Sequence, residues 1–298
     1  MNRRSNEKPR RGCFGNCFVT FLIIVILSSC GLFFWADLST SLTERPASLD
    51  NTGLFSTNVN ILILGSDTRQ SGESGRADTI MILGLKMFRM SNSLLSIPRD
   101  SKVEIEGHGV GKINAAYYYE GQDLMISTVK NLTGLKINHV VEMDFQGFKE
   151  LVDAVGGVTI NVSERLVDDK SGANFEPGTY MMDGDQALAF VRSRATASAD
   201  LGRIERQQYF LKQLMKRLAD PSVFVLRSPK IFLALKDNVK SDMNVAHLFK
   251  YGVFMALLGL KNLNAETLPG NTATIDGVSY IVIDQEKAFD TIENLFGD

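Results

Sequence analysis

Short, uninterrupted runs of apolar residues alternate along this chain with segments in which apolar residues recur every three or four positions. Residues 59–67, VNILILGSD, form such a run and are typical of a strand that is buried on both faces. Four more short apolar runs predict further strands, at 78–85, 93–100, 139–145 and 158–162. A sheet of mostly buried strands is therefore the central element that the pattern predicts.

Helical spacing occupies the intervals between these runs. It predicts helices at 113–134, 146–157 and 202–219, and the first two of these end at glycine. The apolar positions of the third helix fall on one stripe, formed by Leu211, Leu214, Met215 and Leu218, and Pro221 follows its end. The alternation of runs and helices predicts an α/β fold in which a mixed central sheet lies between layers of helices.

The C-terminal part of the chain continues the same alternation. It contains helical spacing near 243–260, a short strand-like run at 279–283 and a further helical segment at 287–296. We expect these elements to complete the domain that begins at residue 58.

The first 57 residues differ from the rest in charge and hydropathy. Residues 1–16 are a basic tail, and residues 17–36 carry no charge over a length sufficient to cross a bilayer as a helix. The basic flank favours the cytoplasm, so the remainder is expected outside the cell membrane. Residues 37–57 are rich in Ser and Thr and predict a stalk. Residues 58–298 then form the extracytoplasmic domain, with a motif-rich core at 58–219.

Two other interpretations of the apolar segment stay open. A cleaved signal peptide is one, although no small-residue cleavage site precedes a polar mature start. A lipoprotein is the other, because LSSC at 27–30 would place a lipidated cysteine at Cys30, but the apolar run continues beyond it. We adopt an uncleaved anchor in a single-pass membrane protein. All three cysteines lie before residue 37, so the exported part has no disulfide.

The charge balance limits the classes of partner. The chain has 32 Lys and Arg against 34 Asp and Glu, a formal net charge of −2. Binding to nucleic acid over a broad surface usually requires an excess of basic residues, so we expect no nucleic-acid partner. A local concentration of arginine does occur, at Arg192, Arg194, Arg203 and Arg206. This cluster suits a small anionic ligand.

Two aspartates lie at neighbouring strand ends. Asp67 ends one predicted strand in LGSD, and Asp78 opens the next in GRADTIM. Ligands of α/β sheets collect where strands meet loops, and paired carboxylates suit Mg²⁺, which also accepts water and phosphate oxygens. The alternative is that each aspartate caps a turn or a helix.

Basic residues surround this acidic pair. Arg76 precedes Asp78, and Arg99 ends a predicted strand in SIPRD. In an extended stretch Arg192 and Arg194 project to the same face. Guanidinium groups match phosphate oxygens in pairs, so a diphosphate is a suitable ligand. The alternative is local salt bridging, which we prefer for Arg206.

Helix spacing adds one more pair to this set. Arg203 and Gln207 are four residues apart at the start of the helix at 202–219, where free N–H groups and the helix dipole favour an anion. We therefore expect both side chains to face the same ligand.

A series of motifs resembles the LytR–CpsA–Psr family. They are NILILGSDTR, GRADTIMIL, LLSIPRDS, GKINAAYYYEG, FKELVDAVGGVTINV, MDGDQALAFVRSR and DLGRIERQQ, in that order from about residue 58 to 219. Members of this family are bacterial envelope proteins with one N-terminal membrane helix and an extracytoplasmic α/β domain. The resemblance implies a transferase that moves a glycopolymer, such as teichoic acid or capsule, from a polyprenyl-pyrophosphate carrier to peptidoglycan.

The resemblance also implies roles for individual side chains. It implies that Asp67 and Asp78 hold Mg²⁺, with Mn²⁺ as an alternative, and that the catalytic set comprises Asp67, Asp78, Arg99 and Asp200. It implies contacts to the pyrophosphate from Arg76, Arg99, Arg192, Arg194, Arg203 and Gln207, with Lys112 adding a point charge. For Asp200 the alternative is an N-cap of the following helix.

The implied chemistry is attack of a peptidoglycan hydroxyl, the C6 hydroxyl of N-acetylmuramic acid, on the phosphate of the proximal sugar, with release of the lipid monophosphate. The base is either Asp200 or a metal-bound carboxylate. Two other functions stay open. One is a pyrophosphatase that uses water in place of the sugar hydroxyl, and the other is a non-catalytic polyprenyl-phosphate-binding regulator, which the older label of transcriptional attenuator suggests.

Overall fold

The computed structural model of the protein describes residues 45–51, 58–67, 75–86, 91–195, 200–243, 247, 251 and 263–297. The chain divides into two units, Met1–Thr40 and Ser41–Asp298, and every described residue belongs to the second. The segment at 17–36 that was expected to span the membrane, the three cysteines and most of the stalk lie outside the described residues. Within the described residues, no helix has the length and apolar character needed to cross a bilayer.

The described strands are β1 Asn58–Ser66, β2 Ala77–Lys86, β3 Ser91–Ser96, β4 Lys102–Ile105, β5 Gly109–Lys112, β6 His139–Asp144, β7 Val158–Val162, β8 Leu166–Asp168, β9 Ala173–Phe175, β10 Gly178–Met182, β11 Val239–Ser241, β12 Leu263–Thr267, β13 Gly270–Ile275 and β14 Val278–Ile283. The described helices are α1 Asn114–Thr133, α2 Phe145–Val155, α3 Gly184–Arg192, α4 Asp200–Leu218, α5 Pro221–Asn238 and α6 Gln285–Phe296.

A six-stranded mixed sheet in the order β11-β6-β1-β2-β3-β12 forms the centre of the domain. β1 pairs in parallel with β6 and antiparallel with β2, and β3 pairs in parallel with β12. β1 therefore lies in the interior of the sheet, which explains why its sequence is an almost continuous apolar run. The remaining strands form two-stranded units, β4 with β5, β7 with β10, β8 with β9 and β13 with β14.

The two faces of the sheet carry separate cores. Alternate residues of β1, such as Leu62 and Leu64, pack against α1 and α6 on one face. Val59 and Ile61 point to the opposite face, where Met215 of α4 covers them. A third core lies beside the sheet and is formed by α2, α3, α4, β7 and β10. The expected arrangement of a mixed sheet between helix layers is confirmed.

The predicted elements of the central region agree with the structure in type and order. The helix expected at 113–134 is α1, although Glu120 and Gly121 interrupt its helical backbone. The helices expected at 146–157 and 202–219 are α2 and α4. The helix expected near 243–260 falls mostly outside the described residues. Within that range the structure describes residues 243, 247 and 251, and the last two are helical.

Two expectations about local structure are wrong. The strand expected at 93–100 ends at Ser96, because Pro98 begins a turn in which the Ser101 amide donates to the Pro98 carbonyl at 3.0 Å. Arg192 does not lie in an extended stretch, since it is the last residue of α3. Pro221 follows the end of α4, as expected, and also begins α5, where its missing N–H costs nothing.

Candidate active site

A cavity of about 910 Å³ lies between the central sheet and helix α4. Its floor is formed by β1, β2 and β6 through residues such as Ile63, Met81 and Val141. Phe145 and Phe148 of α2 close one side. The cavity lies on the sheet face that α4 covers, so its shape depends on how that helix packs.

Helix α4 lines the cavity along its whole length with one face. The lining residues of α4 are Arg203, Gln207, Phe210, Leu211, Leu214, Met215 and Leu218. They recur at helical spacing, and the helical rise places the first and last of them about 22 Å apart. The polar members are at the N-terminal end and the apolar members follow, so the cavity has a cationic end and a long apolar end.

Arginines from two segments converge on the polar end. Arg203 is 7% exposed and belongs to α4, while Arg192 ends α3 and Arg194 follows it. The guanidinium carbon of Arg192 lies 4.6 Å from the centroid of the Phe145 ring, which holds the cation against the apolar wall. The local arginine cluster seen in the sequence therefore does face one cavity, with the exception of Arg206.

Asp168 supplies an acidic group to the same wall. Its Oδ2 accepts a hydrogen bond from the backbone N–H of Arg194 at 2.7 Å, and its Oδ1 accepts one from the amide of Lys170 at 3.0 Å. The hydrogen bond from Arg194 is the main reason why the pKa of Asp168 lies below its usual value. Asp168 thus stays an anion and fixes the backbone from which the Arg194 side chain extends.

Arg206 has a structural position instead. It is 9% exposed, and its Nη2 donates to the carbonyl oxygen of Ser193 at 2.5 Å. This bond ties α4 to the segment between Arg192 and Arg194. Besides this contact to the backbone, the carboxylates of Glu164, Glu205 and Asp168 interact electrostatically with the Arg206 guanidinium.

A β-bulge positions Asp78 at the cavity. Gly65 of β1 lies opposite Thr79, but the next residue, Ser66, lies opposite Ala77, so Asp78 has no partner on β1. An extra residue of this kind bends the strand and re-directs a side chain, and such bulges are common next to active sites. The bulge explains how Asp78 reaches the cavity wall.

Asp78 forms an ion pair at this point. Arg99 Nη1 lies 2.7 Å from Asp78 Oδ1, and Arg99 Nε lies 3.5 Å from Asp100 Oδ2. Lys112 Nζ in turn contacts Asp100 Oδ1 at 2.8 Å. The structure therefore connects Asp78, Arg99 and Lys112 in one charged chain that leads away from the cavity. Of these residues, only Asp78 lines the cavity itself.

Asp67 and Arg76 lie beside the bulge on the ends of β1 and β2. The backbone N–H of Asp67 donates to the carbonyl oxygen of Arg76 at 3.2 Å, and the Arg76 guanidinium carbon lies 5.9 Å from the centroid of the Tyr118 ring. Neither side chain lines the cavity. Asp67 and Asp78 are thus on adjacent strand ends, as the sequence predicted.

The two aspartates fit a magnesium ion by the chemistry of their donors. Both offer hard carboxylate oxygens, and the pairing of Asp78 Oδ1 with Arg99 leaves its second oxygen available. Among the described residues, no group of three or more His, Cys, Asp and Glu side chains has the arrangement of a metal site. A cation here would take its remaining ligands from water or phosphate, which is usual for Mg²⁺.

A buried carboxylate supports the end of β1. Glu142 of β6 is 3% exposed and accepts hydrogen bonds from Tyr117 Oη and Gln122 Nε2, both at 2.6 Å. Ser66 Oγ lies 3.3 Å from the same carboxylate, and Lys240 Nζ lies 3.4 Å from it. Burial and the neighbouring Glu142 together raise the pKa of Tyr117. The network braces the residue that precedes Asp67.

The structure brings together some of the residues expected at the site and separates others. Those that line the cavity are Asp78, Arg192, Arg194, Arg203 and Gln207. Those that lie beside it, on the charged chain or on the strand ends, are Asp67, Arg76, Arg99 and Lys112. Asp200 is the first residue of α4, and its side chain lies outside the described set.

Comparisons with known proteins agree on one family. The model of the LytR_cpsA_psr family matches residues 39–297. The chain is 31% identical over 285 residues to the polyisoprenyl-teichoic acid–peptidoglycan teichoic acid transferase TagU of Enterococcus faecalis. That alignment covers 92% of this chain and 91% of the relative.

Solved structures share the fold. One, described as TagT bound to LIIa-WTA, is 26% identical with a TM-score of 0.69, and the match covers 87% of this chain and 99% of that one. Another, the LytR-CPS2A-psr family protein YwtF (TagT) with bound octaprenyl pyrophosphate lipid, is 25% identical with a TM-score of 0.65. That match covers 86% of this chain and 97% of the other.

Proposed function

This chain belongs to the LytR–CpsA–Psr family, and from that premise we propose that it is a phosphotransferase of the bacterial cell envelope. Its donor is a glycopolymer, such as wall teichoic acid or capsule, carried on polyprenyl pyrophosphate, and its acceptor is peptidoglycan. The TagU relative is named for this transfer, and a structural neighbour holds an octaprenyl pyrophosphate lipid.

One observation carries the proposal, namely the division of the cavity into a cationic end and an apolar end. Arg192, Arg194 and Arg203 suit the charges of a pyrophosphate, and the apolar wall suits a hydrocarbon chain. A soluble sugar phosphate would leave that wall in contact with water, at a cost of about 25 cal/mol per Å² of apolar surface. An amphiphile with an anionic head group fills both ends.

The proposed reaction is a displacement at phosphorus. A hydroxyl oxygen of peptidoglycan attacks the phosphorus next to the glycopolymer and forms a new P–O bond. The P–O bond to the bridging oxygen breaks, and the lipid monophosphate leaves with the electron pair. Arg192, Arg194 and Arg203 hold the pyrophosphate oxygens in place and offset the negative charge that accumulates on the leaving group.

Magnesium dependence is part of this proposal. Asp67 and Asp78 would hold Mg²⁺, which when bound supplies positive charge next to the phosphate oxygens. Arg99 orients the Asp78 carboxylate through their contact at 2.7 Å. Isothermal titration of Mg²⁺ into the full chain tests this point, with weaker binding expected for Asp67→Asn.

A carboxylate accepts the proton of the attacking hydroxyl, and Asp200 is our choice because it begins α4, the helix that carries Arg203. Replacement by Asn removes the proton acceptor and keeps the size of the side chain. We expect Asp200→Asn to lower kcat and leave donor binding unchanged.

We also propose that residues 17–36 anchor the chain as a single membrane helix with a cytoplasmic N-terminus. Their uncharged sequence and basic flank support this. The anchor would keep the cavity next to a carrier lipid that stays in the bilayer. Protease treatment of intact cells tests the topology, because residues 58–298 should be digested from outside.

The decisive experiment uses the full chain in detergent micelles with a radiolabelled, polyprenyl-pyrophosphate-linked teichoic acid precursor, with and without peptidoglycan. We expect label to enter peptidoglycan and lipid monophosphate to appear in equal amount. Arg203→Ala should lower this rate by a factor of about 10² to 10³. The matched control is Arg165→Ala, which breaks an exposed ion pair with Glu176 outside the cavity.

Each alternative function predicts a different result. A pyrophosphatase releases the lipid monophosphate at the same rate without peptidoglycan. A regulator that only binds the lipid retains the label on the donor under every condition, although Arg203→Ala still weakens binding. Either outcome would contradict the transferase.

A further inference from the structure

An exposed aromatic cluster lies on the surface beside the ends of β1 and β2. Its members are His108, from the turn between β4 and β5, and Tyr118 and Tyr119, from the first part of α1. The rings of His108 and Tyr119 are stacked, with centroids 4.1 Å apart and an interplanar angle of 5°. The Tyr118 ring meets Tyr119 edge to face, with centroids 6.0 Å apart.

These rings do not serve the core. Tyr118 is 49% exposed and Tyr119 is 47% exposed, whereas the preceding Tyr117 is turned inward onto Glu142. The consecutive tyrosines therefore divide between the interior and the surface. Grouped exposed apolar surface of this kind on a folded protein commonly marks a binding site.

The cluster is held in place from two sides. His108 Nε2 contacts Glu120 Oε1 at 3.1 Å, which fixes the imidazole over Tyr119. The Arg76 guanidinium carbon lies 5.9 Å from the centroid of the Tyr118 ring. A ligand on the rings would thus lie close to the strand ends that carry Asp67 and Asp78.

We propose that His108, Tyr118 and Tyr119 form a platform that binds a pyranose ring of a glycan. One face of a pyranose presents C–H groups, which pack well on an aromatic ring, while its hydroxyl groups remain at the edge in water. A tyrosine offers this combination of an apolar face and a polar tip. The Glu120 carboxylate, 63% exposed on its side chain, can accept hydrogen bonds from sugar hydroxyls at the rim.

The proposal rests on the transferase function and deepens it, because that reaction brings two sugars to the phosphates. One is the first sugar of the donor glycopolymer, and the other is the sugar of the peptidoglycan acceptor. Both have the same ring chemistry, so the platform fits either. The geometry points to a neutral sugar ring as the ligand, since the cationic groups for phosphate lie in the cavity.

The binding test does not depend on catalysis. Saturation-transfer NMR with the full chain in detergent micelles and tetra-N-acetylchitotetraose should show transfer to the ring protons of the sugar. Tyr119→Ala and His108→Ala should each weaken binding about tenfold, and Tyr119→Phe should retain it. The control is Phe289→Ala, which removes an aromatic ring that is 68% exposed on α6.

A kinetic test then distinguishes the two sources of sugar. Tyr119→Ala should raise KM about tenfold for peptidoglycan if the acceptor lies on the platform, or for the lipid-linked donor if the donor sugar does. Either result supports the platform. Sugar binding that is absent from the unmodified chain, or equal in the unmodified chain and Tyr119→Ala, overturns it. A chain that binds the sugar normally but transfers nothing refutes the transferase and leaves the platform standing.

Discussion

Arg99 Nη1 lies 2.7 Å from Asp78 Oδ1, at the point where a β-bulge turns Asp78 out of the ladder between β1 and β2. The pair joins two segments of the chain: Asp78 lies at the start of β2, and Arg99 lies in the turn that follows β3. Since both side chains are partly exposed, at 20% and 31%, the contact contributes little to stability. We infer that the contact with Arg99 orients the Asp78 carboxylate.

The first prediction concerns this pair. Asp78→Asn should lower the rate of glycopolymer transfer about 10²-fold or more, because a carboxylate that would hold Mg²⁺ next to the reacting phosphates is lost. The free energy of unfolding should fall by less than about 1 kcal/mol, which urea denaturation measures. Glu176→Gln is the control, since it breaks another exposed ion pair, with Arg165. Unchanged transfer by Asp78→Asn would contradict a role at the site.

A second prediction separates Arg206 from the arginines of the cavity. Arg206→Ala should lower the free energy of unfolding by about 1–3 kcal/mol, because the buried carbonyl of Ser193 loses its donor. Arg192→Ala should leave stability nearly unchanged and weaken binding of polyprenyl pyrophosphate. Urea denaturation and lipid binding measured on both variants check this. Two variants with the same effect on stability would refute the division of roles.

The third prediction is a pH dependence that arises from Tyr117. Its pKa is raised in the folded state by burial and by Glu142, while the unfolded chain has the ordinary value of about 10. The folded chain therefore holds the proton more tightly, and this contribution to stability is complete below about pH 10 and is lost as the pH rises above it.

Stability measured between pH 9 and 11 tests this effect. The free energy of unfolding should fall with pH above 10 by up to about 1.4 kcal/mol per pH unit more in the unmodified chain than in Tyr117→Phe. Burial also raises the pKa of Tyr251, to about 12, but this residue is present in both proteins, so the difference between them isolates Tyr117. Equal slopes would show that Tyr117 does not titrate differently on folding.

The fourth prediction concerns the contact between β2 and the last helix. A Cβ atom on Gly84 would lie 2.6 Å from Cε1 of Phe296, which is closer than atoms pack. Gly84→Ala should therefore destabilise the fold by about 1–3 kcal/mol through overpacking. The double variant with Phe296→Ala should lose less stability than the two single variants together, as measured in a double-mutant cycle. Additive losses of stability would show that the Phe296 ring does not clash with a side chain at position 84.

Much of the fold follows from periodicity. The apolar run of β1 predicts an interior strand, and the stripe that includes Leu211 and Leu218 predicts the face that α4 turns to the cavity. The spacing of Arg203 and Gln207 places both on that face. These features depend only on residues close in sequence, which is why a single sequence reveals them.

Features that depend on distant partners could not be predicted. The bulge at Asp78 is a property of the pairing between β1 and β2, and the bond from the Arg194 amide to Asp168 joins segments far apart in the chain. The error at Arg192 is different in kind. Asp183 and Gln186 form a capping box at the start of α3, and this local signal could have revealed the helix that Arg192 ends.

The position of β12 at the far edge of the sheet has a consequence for biosynthesis. β3 cannot pair with β12 until the last part of the chain has been synthesised. The same holds for Leu268, Ile283 and Leu295, which complete the core on one face of the sheet. At ordinary elongation rates this delay after β3 is roughly 10–40 s. During that time a nascent chain exposes apolar surface and an unpaired edge of β3, a combination that is prone to aggregation.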